Sequence, residues 1–93
     1  MIQFEWDSTK ALKNVRKHGL DFKEAIFIFS DPLEITISDP EHSIGEYRFL
    51  SIGRSNKGNL LVVSYIEPEE NIIRIISVRP ATKNEKKYYE QKI

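Results

Sequence analysis

The sequence predicts an α+β domain: an antiparallel meander sheet packed with two N-terminal helices and one C-terminal helix, in the order β-α-α-β-β-β-β-α. Three observations carry this. Four strand-like runs follow one another between residues 33 and 79 with short turns between them, which favours antiparallel neighbours. Two helical patterns precede those runs, each with its own capping residue. A capping-box sequence, TKNE, opens a last helix directly after the final strand.

Each element has its local reason. Residues 2–6, IQFEW, alternate and are rich in β-formers, so they read as a strand. Asp7 suits the N-cap of a helix over residues 8–17, with Ala11, Leu12 and Val15 as its apolar stripe. Gly19 stands where a left-handed C-terminal cap belongs, and Lys17 and His18 suit the helix dipole. Asp21 caps a second short helix, in which Phe22, Ala25, Ile26 and Phe29 share one face until Pro32 ends the segment. Strands are expected at 33–38, 47–54, 59–66 and 72–79, with a loop over 39–46 and turns at SNKG and EPEEN. The last two strands are almost continuously apolar and read as central, covered on both faces. Thr82 caps the final helix, with Glu85 at its N3 position, and this helix is expected to reach about residue 92. No repeat or low-complexity segment interrupts the pattern.

At 93 residues the chain is one domain. It has no cysteine, hence no disulfide framework and no thiolate metal site. No apolar run approaches the roughly 20 residues of a membrane span, and the N-terminus lacks the layout of a signal peptide. A small soluble cytoplasmic domain is expected. The formal net charge is zero but unevenly spread. Residues 1–19 carry four Lys/Arg and two Asp/Glu, residues 20–47 one and seven, and residues 74–93 six and two. Basic ends around an acidic middle fit a local polyanion-binding patch rather than a basic coat.

Several chemistries lack their residues. His18 and His42 are far apart and no metal-ligand spacing appears, so neither a metal nor another cofactor is expected. There is no nucleophile elbow and no Walker-type loop. Arginine, lysine, tyrosine and a few histidines and carboxylates remain. These suit RNA cleavage in which the substrate's own 2′-hydroxyl attacks: guanidiniums stabilise the phosphate charge and a tuned side chain moves protons. Arg79, ending a strand just before the basic helix, is the first candidate. Arg48, opening a neighbouring strand, could approach it. Arg74 lies five residues before Arg79, so a regular strand would point the two to opposite faces unless a bulge intervenes. His18 and Glu85 are candidates for proton transfer, although the first also suits a helix end and the second a capping box. Lys83, Lys86 and Lys87 on the last helix, with Arg74, are the expected RNA contacts.

The residues also resemble a family. Trp6-Asp7, Lys10, Asn14, Lys17-His18-Gly19, Phe22, Glu24-Ala25, Phe29 and Asp31, then Arg48, Ile52-Gly53, RIISVRPA and EKKYYE, look like the BrnT toxins in order and spacing over nearly the whole chain. The resemblance implies a RelE-like fold and a ribonuclease toxin of a type II toxin–antitoxin pair that stops translation and growth. It implies a small ribbon-helix-helix antitoxin as partner, and contact with operator DNA only through that antitoxin. Carried over by position, Arg48, Arg79 and Tyr89 match the active site, with Tyr89 contacting phosphate or stacking a base; Arg74 also matches. The chain departs from the pattern at Pro80, where a basic or polar residue is usual, and at Lys86, where arginine is usual. The rival reading is a non-catalytic module that binds RNA or antitoxin and acts as operon co-repressor.

Overall fold

Asp7 and Gly19 bracket the first helix as their residue types require. In the computed structural model, which describes residues 1–39 and 45–91, the Asp7 carboxylate accepts from the backbone N–H groups of Thr9 and Lys10. Gly19 closes the helix in the left-handed region, at φ 68°. The chain runs β1 (Gln3–Glu5), α1 (Ser8–His18), α2 (Phe22–Ala25) passing into a 3-10 helix (Ile26–Ser30), then β2 (Ile35–Ser38), β3 (Arg48–Arg54), β4 (Leu60–Glu69), β5 (Ile72–Pro80) and α3 (Lys83–Glu90). The α+β class is as the sequence predicts. One five-stranded sheet has the order β1-β5-β4-β3-β2. It is mixed rather than wholly antiparallel, because β1 lies parallel to β5. Most of the loop expected over residues 39–46, His42 included, lies outside the described residues, as does residue 92.

α1 does not bury the stripe expected of it. Leu12 and Val15 are 61% and 43% exposed, and the buried residue is Asn14. The reason is the sheet rim. β1 pairs only with Ile72–Arg74, so among the described residues no strand flanks the rest of β5 on that side. Asn14 replaces the missing strand: its Oδ1 accepts from Val78 N–H at 3.0 Å and its Nδ2 donates to Val78 C=O at 2.9 Å. The same Nδ2 donates to Leu20 C=O at 3.0 Å. Leaving those backbone groups buried without partners would cost more than burying Leu12 and Val15 would gain. The helix therefore rotates its polar residue inward.

The second helix tightens after one turn. From Ile26 it is 3-10, where the face repeats every three residues, so Phe22, Ala25 and Ile28 are fully buried. Ile28, not Phe29, completes the buried stripe. Phe29 lies at the margin, edge-on to Tyr65. Ile28 sits so close to β3 that a Cβ at Gly53 would meet its Cβ and carbonyl oxygen at 3.0 Å, which accounts for glycine there.

β4 and β5 differ from expectation in two ways. β4 continues through Pro68 to Glu69, whereas the sequence predicts a turn at EPEEN; a register shift between Ile66 and Glu69 accommodates the proline. The chain reverses at Glu70–Asn71, with Asn71 at φ 65°. A second shift separates the pairs Ser64–Ser77 and Tyr65–Ile75, so Ile76 is a bulge residue. Among the described residues one sheet face is broadly covered: Phe22, Ala25 and Ile28 pack on Leu61, Val63, Ile75 and Val78. The other face is covered at one end, where Tyr89 of α3 joins Ile35, Ile52 and Val62. β5 is thus near the rim rather than central.

Candidate functional site

The bulge at Ile76 decides where the arginines point. Paired residues share a sheet face, and alternate residues along a strand return to it. Arg79 pairs with Val62, Arg74 with Ile66, and Ile66 with Arg48. Val62 and Ile66 are four apart on β4, so Arg48, Arg74 and Arg79 all project from the α3 face. Without the bulge, Arg74 would lie on the opposite side.

Each arginine meets a carboxylate. Arg74 Nε donates to Glu5, its register partner on β1. Arg48 lies 3.6 Å from Glu46. Arg79 is held most firmly: its Nη1 and Nη2 donate to the two Glu85 oxygens at 2.7 and 2.8 Å, and Nη1 also reaches Pro80 C=O at 3.3 Å. Glu85 is at the same time the capping-box residue, accepting from Thr82 N–H at 2.8 Å. The capping reading and the site reading of Glu85 are therefore one arrangement. The hydrogen bond from Arg79 lowers the Glu85 carboxyl to about 2, despite partial burial, and the same pairing raises the Arg79 guanidinium above its ordinary value. These bonds occupy three of the five guanidinium N–H groups. Among the described residues nothing accepts from the Nε edge.

Two adjoining clefts meet at Arg79. One, of about 250 Å³, lies over the sheet face and is lined by Asp39, Arg48, Ser64, Ser77 and Arg79. The other, of about 440 Å³, lies across the β5 rim, where Ser77 and Arg79 face Lys10, Lys13, Lys17 and half-buried His18 of α1. Ile76, Ser77 and Arg79 line both. Arg79 thus lines both clefts, with Arg48 in the first and His18 in the second.

Tyr89 is placed otherwise. Its side chain is buried, and its hydroxyl donates to Asp31 at 2.6 Å. The same Asp31 oxygen accepts from Arg54 N–H at 2.8 Å, and the Arg54 guanidinium lies over the Tyr89 ring. Burial, with the Asp31 hydrogen bond and charge, pushes the Tyr89 hydroxyl up to about 12. Burial alone would raise the Asp31 carboxyl, but the bonds from Tyr89, Arg54 and Leu33 together hold it below its ordinary value. This pair pins α3 to the corner after the 3-10 helix. Lys83, Lys86 and Lys87 lie exposed on α3 and line neither cleft.

Reasoning from residue types passed over the lysines of α1 and the strand-like role of Asn14. The spacing of Lys10, Lys13 and Lys17, at i, i+3 and i+7, was the signal for a cationic stripe. Among the described residues no group of three or more His, Cys, Asp or Glu side chains could hold a metal ion. No described helix is long and apolar enough to cross a membrane.

Guanidiniums on one sheet face, with lysines and a histidine across the rim, give this small α+β domain a cationic surface. Similarity to known proteins narrows this class. Residues 6–85 match the family described as ribonuclease toxin, BrnT, of type II toxin-antitoxin system, and the chain belongs to that family. Its partner class is accordingly an antitoxin. The fold is similar to the crystal structure of the Brucella abortus ribonuclease toxin BrnT, with TM-score 0.65 and 26% identity over 89% of this chain and 100% of that one. No curated protein matches the chain.

Proposed function

We propose that this ribonuclease toxin cleaves RNA with its own side chains at the junction of the two clefts, without a metal ion. The observation that carries the reading is the Arg79–Glu85 fork. Glu85 fixes one edge of the guanidinium and leaves the Nε edge to donate to phosphate. The RNA 2′-oxygen attacks phosphorus, the bond to the 5′-oxygen breaks, and the products are a 2′,3′-cyclic phosphate and a 5′-hydroxyl. Arg79 and Arg48 hold the phosphate and stabilise the charge that grows on its oxygens. One proton leaves the 2′-hydroxyl and one reaches the departing 5′-oxygen. His18, which lines the rim cleft with Arg79, is the group suited to that work. Glu85, at about 2, is too acidic to exchange protons efficiently near neutrality and serves by positioning Arg79. Tyr89 serves by anchoring α3. Arg74, Lys83, Lys86 and Lys87 are outer cations for the RNA.

The mixed sheet with helices over one face and a C-terminal helix at one end of the other supports placing the fold with the RelE-type ribonucleases. The reading includes action in the cytoplasm, growth arrest through loss of translation, and a ribbon-helix-helix antitoxin that neutralises the toxin and carries it to operator DNA. One observation favours the rival co-repressor reading: all three arginines already have carboxylate partners.

Induction of the chain alone in bacteria separates the two. Growth arrest with new RNA 5′ ends, both lost in Arg79→Ala at equal soluble level, is expected. Normal growth and intact RNA with wild type would leave the co-repressor reading.

A further inference from the structure

Lys10, Lys13 and Lys17 form one stripe along α1, spanning about 10 Å of helix. None makes an ion pair among the described residues. They face Ser77 and Arg79 across the 440 Å³ cleft, and among the described residues no carboxylate lines it. The stripe cannot drift from the arginines, because buried Asn14, one turn from Lys10 and Lys17, is hydrogen-bonded to Val78, the residue before Arg79. The path from Arg48 over Ser77 and Arg79 to these lysines is continuous.

We infer that α1 carries a substrate track: Lys10, Lys13 and Lys17 hold successive phosphates of a single-stranded RNA that enters over the sheet face, crosses the β5 rim at the bulge and leaves along the helix. This rests on the ribonuclease reading and extends it from the scissile phosphate to the flanking strand. The path requires a single strand. It bends around a sheet rim within a domain only 32 × 29 × 26 Å across, and a duplex, whose stiffness persists over roughly 500 Å in DNA, resists such a bend. A flexible strand follows it and exposes its phosphates to lysine point charges. The lysines read no bases, so the track sets affinity and strandedness rather than sequence preference.

The test is the salt dependence of binding to a 2′-O-methyl single-stranded oligonucleotide of about 12 nucleotides, which lacks the attacking hydroxyl. Wild type is compared with Lys10→Gln/Lys13→Gln/Lys17→Gln, and with Lys23→Gln as a control cation elsewhere. Each phosphate contact on a single strand contributes about 0.7 to the slope of log K against log salt, so the triple variant should lose about 2 from that slope. Between 50 and 200 mM salt, wild type should then lose about 20-fold more affinity than the variant. Lys23→Gln should keep the wild-type slope, and a duplex of the same sequence should bind more weakly than the single strand. Cleavage of ordinary RNA by wild type, assayed in parallel, reports separately on the ribonuclease reading. A triple variant with the wild-type slope would overturn the track, whether or not cleavage is seen. Equal slopes with loss of antitoxin binding would also overturn it and assign the stripe to an acidic protein segment. A flattened slope without wild-type cleavage would uphold the three lysine contacts to a single strand and remove the ribonuclease reading on which their role as a substrate track rests.

Discussion

Arg79 and Glu85 meet edge to edge, two N–H groups on two carboxylate oxygens at 2.7 and 2.8 Å, and the same carboxylate caps α3. The last strand, the last helix and the central guanidinium are therefore fixed by one side chain. Glu85→Gln separates its duties. Glutamine keeps the capping box but turns an amide N–H₂ toward a guanidinium that needs acceptors. The helix content should survive in circular dichroism, while kcat for RNA cleavage falls about 10- to 100-fold through misplacement of Arg79. Unchanged kcat in a folded Glu85→Gln protein would remove its positioning role.

The same pair gives an acid limb to stability. The Glu85 carboxyl titrates at about 2 when folded, against an ordinary 4.5. Its lowered value means that the stabilisation is complete above pH ~4.5 and is lost as pH falls toward ~2. Urea denaturation across that window should show wild type weakening more steeply than Glu85→Gln. Parallel curves would contradict the assignment.

Asn14→Ala removes the amide that stands in for a strand beside Val78. Each buried backbone group left without a partner costs roughly 1–3 kcal/mol. Chemical denaturation should register a loss of that order, and amide exchange at Val78 should accelerate more than at Val63, which lies inside the sheet. Protection unchanged at Val78 would show that another group satisfies the rim.

Tyr89→Phe distinguishes an anchor from a reacting group. Loss of the hydrogen bond to the Asp31 carboxylate should cost roughly 1.5–3 kcal/mol of stability. The cleavage rate of the folded protein should change little. A rate loss of the size expected for Arg79→Ala, without a stability loss, would instead place the hydroxyl on the substrate.

Gly53→Ala should destabilise by roughly 1–3 kcal/mol, because the new methyl would lie 3.0 Å from both Cβ and the carbonyl oxygen of Ile28. Urea denaturation reads the loss directly, and a Gly53→Ala protein as stable as wild type would refute the close approach.

The elements were largely legible because their signals are local. Asp7, Gly19, Asp21 and the Thr82–Glu85 box each act within a few residues of themselves. What escaped depends on partners distant in sequence. The inward turn of Asn14 follows from β1 being too short to cover the β5 rim. The common face of Arg74 and Arg79 follows from a bulge at Ile76, and nothing in IIRIISVR marks which residue is the extra one. The Asp31–Tyr89 bond joins residues 58 apart. Arg79 and Arg48 were visible as arginines at strand ends. Their junction with α1 is a product of register and helix rotation, so the lysine stripe looked like an ordinary solvated face.

The most direct measurement is cleavage of a defined single-stranded RNA by the purified protein in the presence of chelator, with product ends identified. Arg79→Ala and Arg48→Ala are run beside wild type. The expected result is cleavage to 2′,3′-cyclic phosphate and 5′-hydroxyl ends, slowed about 100-fold or more in Arg79→Ala. Cleavage abolished by chelator, or an Arg79→Ala protein as fast as wild type, would contradict it.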